Sequence, residues 1–207
     1  MLILPVILSC IKNKHLWKNI IEKIPNCVIF CGVPNLKKNY MLNNNILFLK
    51  CNDNYEGLPE KIIAMISTIL EVHDFDKYTH IFKMDDHDTK IPHNFSDNLK
   101  TIENKDYIGQ KLHNAKNVCR TWHFNKCSND YKYAFTPYKG VYTPWLDGGC
   151  GYILSRNAME KINLTFNFKN LTYIKNFYIY EDLMIALILK KYNIYPSICK
   201  KIIQGDK

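Results

Sequence analysis

Continuous apolar runs and amphipathic stretches alternate along the first ninety residues. LPVILSC (4–10) is apolar throughout, as expected of a strand covered on both faces. In KHLWKNIIEKI (14–24), Leu16, Trp17, Ile20, Ile21 and Ile24 recur near a helical period, which predicts a helix. CVIFCGV (27–33) predicts a second strand, stopped by Gly32 and Pro34, and NILFLKC (45–51) a third. Pro59 suits the first turn of a helix, and Ile62, Ile63, Ile66, Ile69 and Leu70 form its buried stripe. YTHIFKM (78–84) reads as the next strand. This strand–helix–strand rhythm predicts a Rossmann-like α/β domain with a mostly parallel central sheet and helices on its faces. Ligands of such sheets bind beyond the carboxyl ends of the strands.

The pattern loosens after residue 90. Residues 90–145 carry Trp122, Phe124, Tyr131, Tyr133, Phe135, Tyr138, Tyr142 and Trp145 among polar positions. Loops and short strands that wall the core are expected there. GGCGYILSR (148–156) reads as a glycine turn running into a strand, and NAMEKI opens a helix. A last helix starts near residue 181 with acids first and lysines last, which matches the helix dipole.

With 207 residues the chain suits one domain. Its 28 Lys and Arg against 19 Asp and Glu give +9 at neutral pH, a surplus that attracts phosphates, nucleic acid or acidic membranes. The lysines are scattered, with pairs only at 37–38, 190–191 and 200–201. No basic stripe with interleaved aromatics follows, so a nucleic-acid partner is not expected. The eight cysteines include no CxxC pair, and several lie inside apolar runs where thiols pack as small hydrophobes. Free thiols and a cytoplasmic, reducing setting are expected; the sequons at Asn94, Asn163 and Asn170 point the other way. The apolar start is too short to cross a bilayer and lacks a preceding basic region. No transmembrane segment is expected.

The chemistry concentrates in IFKMDDHDTK (81–90), where Asp85, Asp86, His87 and Asp88 crowd one strand end. Neighbouring carboxylates repel, and a hard divalent cation resolves the repulsion. If the segment stays extended, Asp85 and His87 share one side, and Asp86 and Asp88 the other. One pair would then hold Mn²⁺ or Mg²⁺ while the other orients a ligand; the alternative is a solvated acidic turn. Asp53 and Lys61 lie near the preceding strand end, where a lysine can neutralise phosphate or simply face solvent. Gly148 and Gly149 permit close approach of a flat ligand or a tight turn alone. Glu181 and Asp182 suit either helix capping or a general base on a rigid element.

The order of these pieces is informative. D-x-Y-x-x-L-x-x-K (53–61), K-x-D-D-H (83–87), G-G-C-G-Y-I-L-S (148–155) and E-D-L (181–183) together resemble the beta-1,3-galactosyltransferase and Fringe-like glycosyltransferases. The resemblance covers roughly residues 4–198. It implies a GT-A fold and metal-dependent, inverting transfer of a hexose from a UDP-sugar to a hydroxyl of a glycan or glycoprotein acceptor. The donated sugar is left open among glucose, galactose, N-acetylglucosamine and rhamnose. It implies a donor half over about 1–90 and an acceptor half over about 91–207 of a single catalytic domain. By the same resemblance Asp85 and His87 are the metal ligands, in the Asp-x-His form of the polypeptide N-acetylgalactosaminyltransferases. Lys61, Asp53, Asp86, Gly148 and Gly149 serve the donor, and Asp182 is the catalytic base with Glu181 beside it. Asp147 is the next candidate base. The chain departs from the family's usual anchored form and looks like the stand-alone glycosyltransferase domains of large DNA viruses. A metal-dependent nuclease and an inactive nucleotide-sugar-binding domain are the competing readings.

Overall fold

The computed structural model describes residues 2–87, 104–114, 116, 118–174 and 179–199. The strands among these residues are β1 (Ile3–Leu8), β2 (Val28–Gly32), β3 (Tyr40–Asn43), β4 (Ile46–Leu49), β5 (His80–Asp85), β6 (Tyr107–Gly109), β7 (Leu112–His113), β8 (Trp145–Leu146), β9 (Tyr152–Ser155) and β10 (Ser197–Ile198). Among the described residues the α-helices are α1 (Lys14–Lys23), α2 (Leu58–Glu71), α3 (Arg156–Thr165), α4 (Leu171–Ile174) and α5 (Glu181–Lys190). Eight strands form one sheet in the order β10-β6-β9-β5-β1-β2-β4-β3, and β7 and β8 form a separate ribbon. The core of the sheet, β5-β1-β2-β4, is parallel, while β3 and β9 run against their neighbours. This is the Rossmann-like α/β arrangement expected from the strand–helix rhythm.

Alternation along the central strands feeds two cores. Leu4, Val6 and Leu8 of β1 and Ile81 of β5 join α2, α3 and α5 in the larger cluster. Ile7 of β1 and Phe82 and Met84 of β5 join α1, through Trp17, Ile20 and Ile24, on the other face. Period-two geometry therefore sends Lys83 and Asp85 to the α5 side, in line with Ile81. α2 begins with Pro59 in its first turn, and Ile62, Ile63, Ile66 and Ile69 are fully buried.

The structure departs from the apolar pattern in three places. β3 precedes the expected third strand as a hairpin partner, with Asn44 at φ 51 in its turn. Asn tolerates that left-handed conformation, but a half-exposed strand among asparagines has no apolar run to mark it. β10 is too short to mark itself. β5 ends at Asp85, and Asp86 and His87 lie in a turn. The alternation that would pair Asp85 with His87 therefore does not extend that far; it pairs Lys83 with Asp85 instead. Asp88 lies outside the described residues.

Sheet polarity decides where functional groups meet. β1, β2, β4 and β5 end at one edge, and antiparallel β9 begins there, so the glycine turn before Tyr152 arrives beside the end of β5. Asp53 ties this edge together. Its Oδ2 accepts the Ile11 N–H and its Oδ1 the Gly32 N–H, both at 2.7 Å. Lys61, 1% exposed, meets Asp53 Oδ1 at 2.8 Å and donates to the Ser9 carbonyl at 2.9 Å. Removing one partner of a buried ion pair typically costs about 3–5 kcal/mol. Asp53→Ala is expected to lower the unfolding free energy by about that amount, read by urea denaturation; an effect under ~1 kcal/mol would mean the strand ends hold without it.

Candidate active site

At the carboxyl edge the site is organised by Lys83. Its side chain is 1% exposed. The ammonium donates to Asp85 Oδ1 at 2.6 Å and to the Gly148 carbonyl at 2.9 Å, and lies 3.1 Å from Glu181 Oε1. It also sits 5.6 Å from the centre of the Tyr152 ring. Three segments far apart in sequence, the end of β5, the glycine turn and the start of α5, thus share one buried cation. Burial alone would favour the neutral amine, but Glu181 and Asp85 outweigh it and hold Lys83 protonated.

Glu181 is buried, and its second oxygen accepts the Tyr152 hydroxyl at 2.8 Å. Burial, with Asp182 and Asp85 adding repulsion, pushes its carboxyl up to about 7 against the pull of Lys83. Asp182 is half-buried, with Oδ2 accepting the Gly148 N–H at 3.1 Å and Oδ1 the Leu183 N–H at 2.8 Å. Burial raises its pKa, and the two amides oppose that rise. Neither acid caps α5: the N-cap is Tyr180, with no side-chain cap bond. Glu181 is committed to Lys83 and Tyr152, while Asp182 joins the glycine turn to the first-turn Leu183 amide of α5.

The turn itself depends on missing side chains. A Cβ on Gly148 would lie 2.5 Å from Glu181 Oε1, and one on Gly151, at φ +80, would lie 2.8 Å from the Lys83 carbonyl. Gly149 is exposed, and a Cβ there would meet only Asp147 Oδ1 at 3.3 Å and Asp85 Oδ2 at 3.9 Å. The floor between Asp85 and Asp147 is therefore open.

A cavity of about 310 Å³ covers this floor. Asp85, Gly148, Gly149, Glu181 and Asp182 line it, as do Lys83, Asp147 and His113 and the aromatic residues Tyr55, Trp122, Tyr142, Trp145 and Tyr180. The aromatic-rich stretch after residue 115 is thus a wall of this cavity, held by His123. The His123 ring is fully buried between the Tyr180 hydroxyl at 2.8 Å and the Tyr133 and Thr136 carbonyls at 3.1 and 3.0 Å. The other expected site residues lie elsewhere. Asp53 and Lys61 do not line the cavity; they sit beneath the strand ends, engaged with backbone and with each other. Asp86 turns toward the β1–α1 connection, where Oδ2 accepts from Ser9 Oγ at 2.7 Å and Asn13 Nδ2 at 2.9 Å. His87 is exposed, its Nε2 lying 3.3 Å from Asp86 Oδ1.

Among the described residues no group of three or more His, Cys, Asp or Glu side chains gathers into a metal cage. Asp85 and His87 still offer donors that suit Mn²⁺. Asp85 keeps Oδ2 on the cavity side while Oδ1 is taken by Lys83, and the His87 side chain is 71% exposed.

Sequence reasoning missed Lys83, Tyr152 and His113. Lys83 had a legible signal, because it stands two residues before Asp85 on one strand. Asp147, the reserve base, is held by Lys111 and His113, each 2.8 Å from Oδ2, and by the Cys150 N–H. Burial would raise its pKa, but these bonds overcome that and hold it well below the usual carboxylate range. It is a poor proton acceptor.

A model of the family described as Galactosyltransferase matches residues 36–200, most of the 207-residue chain. The chain belongs to the Galactosyltransferase family and is a glycosyltransferase. No match was found among curated proteins. Similar solved structures include 4-diphosphocytidyl-2C-methyl-D-erythritol synthase from Anaerococcus prevotii DSM 20548, with 7% identity over 96% of this chain and 86% of that one, TM-score 0.44. The bifunctional IspDF from Campylobacter jejuni is 14% identical over 85% of this chain and 47% of that one, TM-score 0.36. Both TM-scores are below 0.5 and say nothing of this chain's chemistry.

The Glu181 environment makes stability depend on pH with a defined sign. Its folded pKa of about 7 lies above the ordinary value of 4.5. Between those values the native state keeps a proton that the unfolded chain has lost, so this group's contribution falls as pH rises and levels off above about 7. The limiting slope is about 1.4 kcal/mol per pH unit. Urea denaturation of the wild type and Glu181→Gln in EDTA, from pH 4.5 to 8, should give curves that diverge in this sense. Parallel curves would place the Glu181 titration elsewhere.

Proposed function

We propose that this glycosyltransferase moves a hexose from a UDP-sugar, with inversion and with Mn²⁺ or Mg²⁺, onto a hydroxyl of a glycan or glycoprotein. The observation that carries this reading is that the strand-end carboxylate Asp85, with Oδ2 toward Gly149, and the half-buried Asp182, held by the Gly148 N–H, line one cavity at the glycine turn. Asp85 and His87 are the proposed metal ligands. When bound, the cation stabilises the charge that develops on the departing diphosphate.

In this scheme Asp182 takes the proton of the acceptor hydroxyl. The two backbone amides fix its orientation, and each oxygen keeps a lone pair for the proton. Its raised pKa brings it closer to that of an effective general base. The acceptor oxygen forms its bond to the anomeric carbon as the bond from that carbon to the diphosphate breaks on the opposite face. Glu181 keeps Lys83 in place, and Lys83 holds Asp85. Gly148 and Gly149 leave room for the sugar, and Asp86 supports the donor side indirectly by holding the β1–α1 connection through Ser9 and Asn13. Asp53 and Lys61 support the donor by holding the ends of β1 and β2. Residence in a reducing compartment belongs to the same proposal. All eight cysteines are free thiols, and no helix among the described residues is long and apolar enough to cross a membrane.

Calorimetry with UDP should give binding that strengthens with Mn²⁺ and weakens in His87→Ala. Asp182→Asn should retain fold and UDP affinity and lose ~10²–10⁴ in transfer rate. Full turnover by Asp182→Asn, or UDP affinity indifferent to both Mn²⁺ and His87, would contradict the assignment of roles.

A further inference from the structure

The wall facing the carboxylates carries a second constellation that the reaction scheme leaves unused. In the β7–β8 ribbon His113 lies opposite Trp145, and their rings stack with centres 4.9 Å apart and planes 18° from parallel. Tyr142 also stacks on Trp145, at 5.7 Å and 28°. His113 Nε2 lies 2.8 Å from Asp147 Oδ2, an oxygen that also meets the Lys111 ammonium. A carboxylate held ionised in this way accepts, so Nε2 carries the proton and donates. The other ring nitrogen has no partner among the described residues, on a side chain that is 36% exposed and lines the cavity. A ring held by stacking on Trp145 and by a hydrogen bond to Asp147 presents that nitrogen at a fixed point.

The dyad also shares a turn with the base. Asp147 directly precedes Gly148, whose N–H holds Asp182. The constellation therefore belongs to the side of the cavity where the incoming hydroxyl is deprotonated. Trp122, 62% exposed, lines the same cavity. Flat apolar rings with a few placed polar groups suit a ligand whose faces are C–H and whose edges are hydroxyls.

We propose that His113 recognises a hydroxyl of a carbohydrate acceptor, and that Asp147 and Trp145 are positioning residues that fix its ring. The proposal rests on the glycosyl-transfer reading above and narrows the acceptor to the sugar itself, as opposed to a peptide or lipid surface.

The test uses p-nitrophenyl glycosides of galactose, glucose, N-acetylglucosamine and mannose as acceptor probes with the full chain. His113→Phe keeps a ring to stack on Trp145 and removes both nitrogens. It should raise the KM of the transferred glycoside about tenfold, the usual effect of losing one ligand hydrogen bond. The Kd for UDP with Mn²⁺ should stay within about twofold. His113→Gln, which retains hydrogen-bonding capacity, should recover part of the KM, and Asp147→Asn should raise it. An unchanged glycoside KM in His113→Phe overturns the proposal, as does a parallel rise in UDP Kd, which would put His113 on the donor side. If the wild type binds UDP but no glycoside gives transfer or saturation-transfer NMR signals, the carbohydrate assignment fails and the donor reading stands. If UDP itself does not bind, both readings fail together.

Discussion

One buried lysine constrains the whole carboxyl edge of the sheet. Lys83 has almost no contact with water, so its charge is tolerable only while Asp85, Glu181 and the Gly148 carbonyl surround it. The converse also holds. Among the described residues, Lys83 and the Tyr152 hydroxyl answer the burial of Glu181. The cluster fixes the distance between the end of β5 and the start of α5, the two elements that carry the proposed donor-side and acceptor-side acids. Breaking such a pair is costly, whereas replacing it whole by apolar residues is often not. Its retention here is consistent with positioning.

The sheet supplies the precondition. A strand running with its neighbours would bring its carboxyl end to this edge; β9 runs against them and brings its amino end instead. The glycine turn therefore approaches Lys83 with backbone, at a point where a side chain on Gly148 would collide with Glu181. On the opposite flank Asp53 and Lys61 perform a similar task for β1 and β2 through backbone N–H and C=O groups. The motif positions thus divide into those that line the cavity and those that hold its frame.

The parallel core of the fold was legible because strands buried on both faces must be largely apolar: β1 and β2 are so throughout, and β5 is so at Ile81, Phe82 and Met84. The acids of the site were legible for the opposite reason: carboxylates at strand and helix ends stand out against apolar sequence. Lys83 was harder to read, since a lysine inside an apolar strand resembles a solvent-facing residue until the side it shares with Asp85 is considered. His113 and Asp147 were illegible as a pair. They are 34 positions apart, and only the short β7–β8 ribbon brings them together. The period-two argument that put Asp85 and His87 on one side stops at the strand end, because His87 already lies in a turn. Helix capping was a sufficient local account of Glu181 and Asp182; Asp182 does hold the first-turn Leu183 amide, but the Gly148, Lys83 and Tyr152 partners are tertiary and no local pattern encodes them.

The central claim is that Lys83 and Glu181 act as one unit that joins β5 to α5. A double-mutant cycle of Lys83→Met and Glu181→Gln, read by urea denaturation at pH 8 in EDTA, measures that unit directly. The single variants should each destabilise the protein, and the double variant should recover enough for a coupling energy of about 1–3 kcal/mol. Additivity within ~0.5 kcal/mol would mean that the two groups are neighbours without being partners, and the account of the site built on Lys83 would be wrong.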